Sequence, residues 1–276
     1  MVACPAFSPA IALDAALQAA ATVAAGALAR QQAGTASAAV DRECQEQLLG
    51  MLLAAFPGEA IAVCAEERTP TVAQFATIDA ASSVSSSLWR WIVDPIDGSG
   101  NYVGKATAGD PTKPARWSVT VALQQPDGDL AGGLIVFPAL DETWIAHCDG
   151  TISCNGQPVV RPTIDANAPV GLHSRARSLT RGATLGRPIR MPGCASWALT
   201  RVLTGELAAY ICNGTWLWDI AAGHCLLRAL GGTLMQADGS EPAWSPTTTR
   251  VEGLLVASAD TAIADALRSA VAAVTT

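Results

Sequence analysis

Two aspartates spaced three residues apart, Asp94 and Asp97, point most clearly to chemistry in this chain. They stand in the segment Trp-Ile-Val-Asp-Pro-Ile-Asp-Gly-Ser. We expect Pro95 to hold the first aspartate in an extended conformation and Gly98 to allow a tight turn. The second aspartate or Ser99 then opens a helix, whose free N–H groups attract an anion.

This pair of carboxylates predicts a cation site. Two like charges held so close repel each other unless a cation lies between them. A few hard oxygens, with water and phosphate completing the shell, are the ligands that Mg²⁺ prefers. The alternative, an ordinary strand and turn with a capping aspartate, is equally compatible with this segment alone.

Two further acidic positions favour the cation site. Glu66 and Glu67 follow a short apolar strand at 61–64, although a solvated strand end would look the same. Asp219 stands at the start of a predicted helix, in Trp-Asp-Ile-Ala-Ala-Gly, where a plain N-cap is the ordinary interpretation. One carboxylate oxygen can cap a helix while the other binds a metal, so the two roles are compatible.

The elements that must position these acids are predicted from hydrophobic periodicity. The first half is interpreted as two helices followed by an antiparallel meander, and the second half alternates strands and helices. Predicted helices run from Ser8-Pro9 to Gly34, from Ser37 to Pro57, over 195–203, over 220–230, and after Asp260. Predicted strands lie at 61–64, 88–93, 117–123, 133–137, 143–148, 170–173, 207–211 and 253–257. We expect one folding unit with two subdomains, 1–155 and 156–276.

Composition excludes several classes of function. The net charge of −7 argues against nucleic acid or an anionic membrane as the main partner. The eight cysteines form no Cys-x-x-Cys pair and lie mostly in apolar runs, which disfavours a zinc site or a disulfide framework. We therefore expect a cytoplasmic protein.

The apolar stretch at 11–29 resembles a signal or a membrane span in composition. No basic segment precedes it, and Asp14 and Gln18 interrupt it. Ser8 followed by Pro9 is typical of a helix start. An alanine-rich helix of the folded domain is therefore the interpretation we adopt.

The acidic motifs together resemble those of the inositol monophosphatase superfamily, which are Mg²⁺-dependent, lithium-sensitive phosphatases. The resemblance rests on the Asp-Pro-Ile-Asp-Gly-Ser and Trp-Asp-Ile-Ala-Ala-Gly segments and on Glu-Glu after a strand. Further matches are the hairpin at 154–157, the segment 193–195 and the helix end at 229–232. The resemblance implies an α/β (α+β) fold, a layered αβαβα sandwich with an antiparallel N-terminal sheet followed by a mixed C-terminal sheet. It also implies a homodimer.

By position, the resemblance implies two or three Mg²⁺ ions. Glu66, Asp94 and the carbonyl of Ile96 would hold the ion that activates water. Asp94, Asp97 and Asp219 would hold a second ion near the leaving oxygen.

The same resemblance assigns the remaining candidate residues. Glu67 would orient the attacking water, and Ser99 with Asp41 would polarise it. Backbone N–H groups at Gly98 and Ser99 would cradle the phosphate. The candidate substrate contacts are Gly193, Cys194, Ala195 and Cys212.

Departures from the family pattern concern the substrate. Cys212 stands where inositol-selective members carry a glutamate that binds ring hydroxyls, so we expect no marked preference for inositol phosphate. Histidinol phosphate, a 3′-phosphonucleotide and a sugar bisphosphate are alternatives, as is a regulatory relative with weak turnover. The basic stretch 104–116 is interpreted as a solvated surface loop, and recognition of a second anionic group is the alternative. The histidines His147, His173 and His224 are interpreted as structural or surface groups. Trp216 and Trp218 are assigned to either a pocket or the core.

Overall fold

The chain forms two β-sheets with helices on both faces of each. The computed structural model describes residues 7–75, 88–104, 115–178, 180, 183–245 and 247–275. The helices are α1 (Pro9–Gln32), α2 (Ala38–Ala55), α3 (Ser99–Tyr102), α4 (Ala195–Thr204), α5 (Leu217–Ala229) and α6 (Thr261–Thr275). The strands of the first sheet are β1 (Ile61–Ala65), β2 (Trp89–Asp97), β3 (Ser118–Gln124), β4 (Leu130–Phe137), β5 (Glu142–Ala146), β6 (Ile152–Cys154) and β7 (Gln157–Pro158). The strands of the second sheet are β8 (Val170–Leu172), β9 (Ile189–Arg190), β10 (Ala209–Trp216), β11 (Thr233–Gln236) and β12 (Arg250–Ser258).

The first sheet is a meander in which the strands follow one another in chain order. Strands β2 to β7 pair antiparallel, and β1 joins the edge of β2 in the parallel sense. The second sheet has the order β11-β12-β10-β8-β9. It is mixed, because β10 pairs antiparallel with β12 and parallel with β8. These pairings agree with the predicted sheet types, except that β1 is parallel.

Five layers result, and they confirm the predicted αβαβα sandwich. Helices α1 and α2 pack on one face of the first sheet, and α4 and α5 fill the space between the two sheets. Helix α6 covers the outer face of the second sheet. Because both faces of the first sheet are covered, every residue of β3 is buried, and its Ser, Thr and Ala positions lie inside as well as its apolar ones.

Helix α1 is the one described helix that is long and apolar enough to cross a membrane by length and composition. Its buried face packs on α2, β3 and β4. The residues of this face are small: Ala12, Ala16, Ala20, Ala24 and Ala27 are all 1% exposed or less. Small side chains allow close packing of a helix on its neighbours, so this helix belongs to the core, as the sequence predicted.

Two element boundaries beside the site differ from the prediction, and two short strands were not predicted. Strand β2 does not stop at Val93 but continues to Asp97, since pairing with β3 carries it through the aspartate motif. Helix α5 begins at Leu217, so Asp219 lies in its first turn and Trp216 occupies the N-cap position. The strands β9 and β11 were not predicted, because two to four residues are too few to show a periodicity.

The division into two subdomains remains a prediction. The first sheet ends at Pro158 and the second begins at Val170. Helices α4 and α5 contact both sheets, so the two halves share one central core.

Candidate active site

Three aspartates from two distant parts of the chain converge at one point. Asp94, Asp97 and Asp219 each offer a carboxylate oxygen, and these oxygens lie within 4.8 Å of one another. Asp94 is 2% exposed and Asp97 is 7% exposed. The first two come from the end of β2 and the third from the first turn of α5. The motifs that stood 122 residues apart in the sequence therefore meet.

The end of β2 is irregular, and this irregularity orients its aspartates. The register between β2 and β3 shifts between Asp94 and Asp97. Within the bulge, the N–H of Ile96 donates to Oδ1 of Asp94 at 2.9 Å. A bulge re-aims side chains at the end of a strand, so both carboxylates face the same side.

Asp97 is held by the N-terminus of α4. Its Oδ2 accepts from the N–H of Ser196 at 2.6 Å, and its Oδ1 accepts from the N–H of Ala195 at 3.3 Å. The Sγ of Cys194 lies 3.3 Å from the same carboxylate. Free N–H groups at a helix start attract negative charge. Of the predicted substrate residues 193–195, the last two therefore bind the aspartate that they were expected to flank.

A hydroxyl near the end of β10 holds the side chain of Asp219. Its Oδ2 accepts from the hydroxyl of Thr215 at 3.1 Å. The carboxylate lies next to that of Asp97.

Glu66 adds a fourth carboxylate behind the three aspartates. It follows β1, and parallel pairing places that strand beside β2, with Ala65 opposite Val93. Its Oε2 is buried without a hydrogen-bond partner. Burial and, next in size, the negative charge of Asp41 together raise the pKa of Glu66 to about 8.

The ionised form is unfavourable for the other clustered carboxyl groups as well. Burial, followed by the charge of Glu66, raises the pKa of Asp94 well above its ordinary value. Burial, followed by the charge of Asp97, raises the pKa of Asp219 to about 7, although Arg175 opposes the shift. Crowded buried carboxylates with unpartnered oxygens are what a divalent cation would neutralise. The residues present therefore fit magnesium.

Ser99 and Asp41 form the hydroxyl and acid pair that the resemblance implied. The Ser99 hydroxyl lies 3.1 Å from Oδ2 of Asp41 and 3.1 Å from the carbonyl oxygen of Ile96. The other oxygen of Asp41 is buried without a partner. Burial raises the pKa of Asp41 to about 7, while the bond from Ser99 lowers it.

Gly98 joins β2 to α3 in a conformation that requires glycine. Its φ is +87°, in the left-handed region. A Cβ at this position would lie 2.9 Å from Cβ of Cys194 and 3.0 Å from the carbonyl oxygen of Arg116. The backbone of the motif thus packs directly against the start of α4.

Glu67, in contrast, turns away from the aspartates. Its carboxylate forms an ion pair with Arg42 of α2, with Nε 2.9 Å from Oε2. Gln45 bonds to both its N–H and its carbonyl. Its charge still raises the pKa of Asp41, so it lies near the site without facing the three aspartates.

A cavity of about 450 Å³ opens beside the aspartates. Its lining includes seven predicted site residues: Asp97, Gly98, Ser99, Gly193, Cys194, Ala195 and Asp219. It also includes Leu172, His173, Met191 and Tyr210, none of which the sequence analysis assigned to the site. No sequence motif marks them, because they come from strands and loops that only the tertiary fold brings together.

Cys212 is not part of this lining. It is 1% exposed and belongs to the central core. It lies two residues after Tyr210, which lines the cavity, so both side chains share one face of β10. The predicted contact of Cys212 with substrate stays a prediction.

The tryptophans and histidines considered in the sequence analysis have structural roles, with one exception. Trp216 and Trp218 stack on each other with ring centroids 5.0 Å apart. His224 is buried against Trp244, and His147 lies 3.1 Å from the hydroxyl of Ser153. The exception is His173 of the cavity lining, which the sequence analysis had set aside. Residues 105–114 of the basic stretch lie outside the described residues.

Comparisons with known proteins show which family this chain is similar to. The sequence model of the inositol monophosphatase family matches residues 7–274. An uncharacterized protein y4fL of Sinorhizobium fredii is 31% identical, covering 73% of this chain and 68% of its own. A probable inositol 1-monophosphatase ImpA of Mycobacterium tuberculosis is 30% identical over 59% of this chain and 62% of its own. Nus factor SuhB of Xylella fastidiosa is 29% identical over 55% of this chain and 56% of its own. This chain thus spans about three fifths of the length of those two named relatives.

A solved structure shows the same fold. The extragenic suppressor protein suhB of Bartonella henselae superposes with a TM-score of 0.73 at 20% identity, covering 94% of this chain and 98% of that one. Because the family model matches nearly the full length of the chain, this chain belongs to the inositol monophosphatase family.

Proposed function

We propose that this protein is a Mg²⁺-dependent phosphatase of small phosphate monoesters. The observation that carries the proposal is the convergence of Asp94, Asp97 and Asp219 at a cavity that also exposes Ser99 and the turn at Gly98. Family membership supports phosphatase activity.

The metal-binding residues would divide between two or three ions. Glu66, Asp94 and the carbonyl of Ile96 would hold one, and Asp94, Asp97 and Asp219 would hold another. When bound, Mg²⁺ lowers the pKa of a coordinated water and neutralises the charge of the phosphate.

The chain's own residues supply the remaining steps. The hydroxyl of Ser99 stands between Asp41 and the carbonyl of Ile96, so it can pass a proton from the attacking water toward Asp41. The high pKa of Asp41 suits it to accept that proton. The N–H groups at Gly98 and Ser99 would bind the phosphate oxygens, because the first turn of a helix leaves them free.

Glu67 is proposed to act indirectly. Its ion pair with Arg42 and its backbone bonds to Gln45 fix the end of β1. That arrangement would position Glu66, rather than orient a water with the Glu67 carboxylate itself. The homodimer, the cytoplasmic location and sensitivity to lithium remain predictions.

The test is phosphate release from a panel of esters. It includes inositol 1-phosphate, histidinol phosphate, adenosine 3′-monophosphate and fructose 1-phosphate, each with Mg²⁺, with Mg²⁺ plus lithium, and with a chelator. We expect turnover that needs Mg²⁺, falls with lithium, and is inhibited by excess Ca²⁺, which tolerates looser coordination. Full activity in chelator would overturn the mechanism.

The rival function is regulation by binding, with little turnover. Its support is the relative named Nus factor SuhB. The intact carboxylates at 66, 94, 97 and 219 argue against it, because a binding protein has no need of a crowded acidic cluster. Absence of phosphate release across the panel, from protein shown to bind Mg²⁺, would favour the rival.

A further inference from the structure

His173 is the one histidine, among the residues that the structure describes, that lines the catalytic cavity. It follows β8 directly, and its backbone N–H donates to the carbonyl oxygen of Ile211 on β10 at 2.8 Å. Strand β10 leads directly into α5, which carries Asp219 in its first turn. The backbone therefore fixes this histidine beside the connection that brings Asp219 to the site.

The His173 side chain points to the face of the second sheet on which the cavity lies. The preceding side chain, Leu172, packs in the cluster that α6 covers on the other face. Successive side chains of an extended chain face opposite sides, and His173 is extended, with φ of −70° and ψ of 145°. Its ring thus lies on the same face as Tyr210, which packs toward α4 and α5 and also lines the cavity.

One ring nitrogen of His173 is bonded to the backbone, and the other is available. Its Nδ1 accepts from the N–H of Arg175 at 3.3 Å. In the neutral ring, the proton then resides on Nε2. Nε2 forms no hydrogen bond with any residue that the structure describes. A molecule in the cavity therefore meets an unused N–H donor.

The surroundings of His173 favour the neutral ring. Burial, followed by the positive charge of Arg175, lowers the pKa of His173 below its ordinary value, while the negative charge of Asp97 opposes both. At neutral pH the ring therefore carries a single proton. A neutral imidazole N–H stabilises a negative charge that develops beside it, as the donors of an oxyanion hole do.

His173 lies on the side of the cavity from which a leaving group would depart. In an in-line displacement, the attacking and leaving oxygens stand on opposite sides of the phosphorus. Ser99 and Asp41, 3.1 Å apart, mark the side of attack. His173 lines the cavity together with Asp219, and the acid whose charge acts on its ring is Asp97. Both aspartates belong to the proposed metal site beside the leaving oxygen.

We propose that His173 is a further catalytic residue, whose Nε2–H donates a hydrogen bond to the leaving-group oxygen. This inference rests on the proposed phosphatase function. The bond from the water oxygen to phosphorus forms, and the bond from phosphorus to the leaving oxygen breaks, with its electron pair passing to that oxygen. His173 keeps its proton, and its hydrogen bond strengthens as the negative charge develops. The alkoxide then takes a proton from solvent water, and Asp41 returns the proton of the attacking water to solvent.

The experiment varies the basicity of the leaving group. Two pairs of esters serve, ethyl phosphate with 2,2,2-trifluoroethyl phosphate and phenyl phosphate with 4-nitrophenyl phosphate. In each pair the second leaving group is the weaker base, so it has less need of a donor. The variant His173→Asn should lower kcat/KM for ethyl phosphate by about a hundredfold. The loss should be about tenfold smaller for the second ester of each pair than for the first.

Two substitutions separate the donor from the backbone bond. In His173→Asn, the side-chain carbonyl takes the place of Nδ1 and can still accept from Arg175, while the donor at Nε2 is lost. In His173→Gln, the amide N–H takes the place of Nε2–H, so kcat/KM should stay within about tenfold of wild type. The matched control is His147→Asn, at a histidine that contacts Ser153 outside this cavity. It should leave every kcat/KM within about twofold.

The dependence on the leaving group distinguishes a catalytic role from a structural one. A loss in the Asn variant that follows basicity and is restored in the Gln variant supports the proposal. The esters of the phosphatase panel, whose leaving groups are alkoxides, should show the full loss. Equal losses within both pairs, or a loss below about threefold on the panel, overturn the role of His173 while the phosphatase proposal stands.

A second measurement needs no turnover. The nitrogen chemical shifts of the His173 ring report which nitrogen carries the proton, and we expect Nε2. A neutral ring protonated on Nδ1 would overturn the proposed donor. Absence of turnover on every ester would overturn the phosphatase proposal and the role of His173 together.

Discussion

The acidic residues of the site and the residues that line its cavity differ in how far the sequence predicts them. We call the first group the floor and the second group the wall. The floor consists of Glu66, Asp94, Asp97 and Asp219, and it lies in short local motifs with proline and glycine at fixed offsets. The wall includes His173, Met191 and Tyr210, each from a separate segment without a motif. Chemistry that depends on local backbone geometry can be read from a sequence, whereas a surface built from distant segments requires the fold.

The same contrast explains which elements were predicted. Helices α1, α2 and α6 and the longer strands of the meander, β2 to β5, have enough length for their periodicity to show. The end of β2 was misplaced because the aspartate motif looks like a turn, while pairing with β3 extends the strand through it. The start of α5 was misplaced because Asp219 is a favourable N-cap residue, yet the structure uses Trp216 at the cap and puts the carboxylate in the first turn.

The largest effect on activity is expected when one carboxylate of the floor is removed. Asp94→Asn or Asp219→Asn should lower kcat/KM by roughly a thousandfold, because each removes charge that would hold metal. Both variants should stay folded, since losing one of several crowded carboxylates relieves repulsion. The measurement is phosphate release with saturating Mg²⁺, beside circular dichroism and thermal melting. Near-normal turnover of a folded variant would contradict the metal assignment.

A smaller effect on kcat is expected at Ser99, which lies between the floor and the cavity. Ser99→Ala should lower kcat by about a hundredfold, since it removes the hydroxyl that lies 3.1 Å from Asp41. Ser99→Thr keeps that hydroxyl and should remain within about tenfold of wild type. The two variants therefore differ by one functional group. Equal kcat in the alanine and threonine variants would remove Ser99 from the proton path.

The raised pKa values of the acidic residues also predict how the stability of the protein depends on pH. The pKa values of Asp41 and Asp219 are raised to about 7 and that of Glu66 to about 8. In the unfolded chain these groups ionise near pH 4. The folded state therefore binds more protons than the unfolded state between about pH 4 and pH 8, and its stability falls as pH rises across that range and levels off above it. Each group contributes a slope of at most roughly 1.4 kcal/mol per pH unit.

Chelated protein tests this sign. Without Mg²⁺, Tm should fall between pH 6.5 and pH 8.5, and saturating Mg²⁺ should remove most of the fall by neutralising the cluster. Asp94→Asn should flatten the metal-free profile. His224, whose pKa burial lowers to about 4, acts in the opposite direction and chiefly below pH 6.5. A metal-free Tm that rises from pH 6.5 to 8.5 would contradict the assigned shifts.

The smallest effect is expected behind the wall, at Cys212. The thiol is 1% exposed and lies in the core rather than at the cavity, so Cys212→Ala should change the relative kcat/KM of any two esters by less than about threefold. Its effect should instead appear in stability, as a loss of about 1 kcal/mol from the missing packing. Wild type should not prefer inositol 1-phosphate by tenfold or more over the other esters, because the cavity lining that the structure describes offers no carboxylate besides Asp97 and Asp219 to accept its ring hydroxyls.

The variant Cys212→Glu tests whether residue 212 lies in the core or faces the cavity. Burial raises the pKa of this thiol, and Asp219 raises it further, so a carboxylate placed at 212 would meet low polarity and a negative neighbour. It should lower Tm unless the longer side chain passes Tyr210 and reaches the cavity. Inositol 1-phosphate then distinguishes the two results: a gain in its relative kcat/KM would return residue 212 to the wall, whereas a loss of stability without such a gain would keep it in the core.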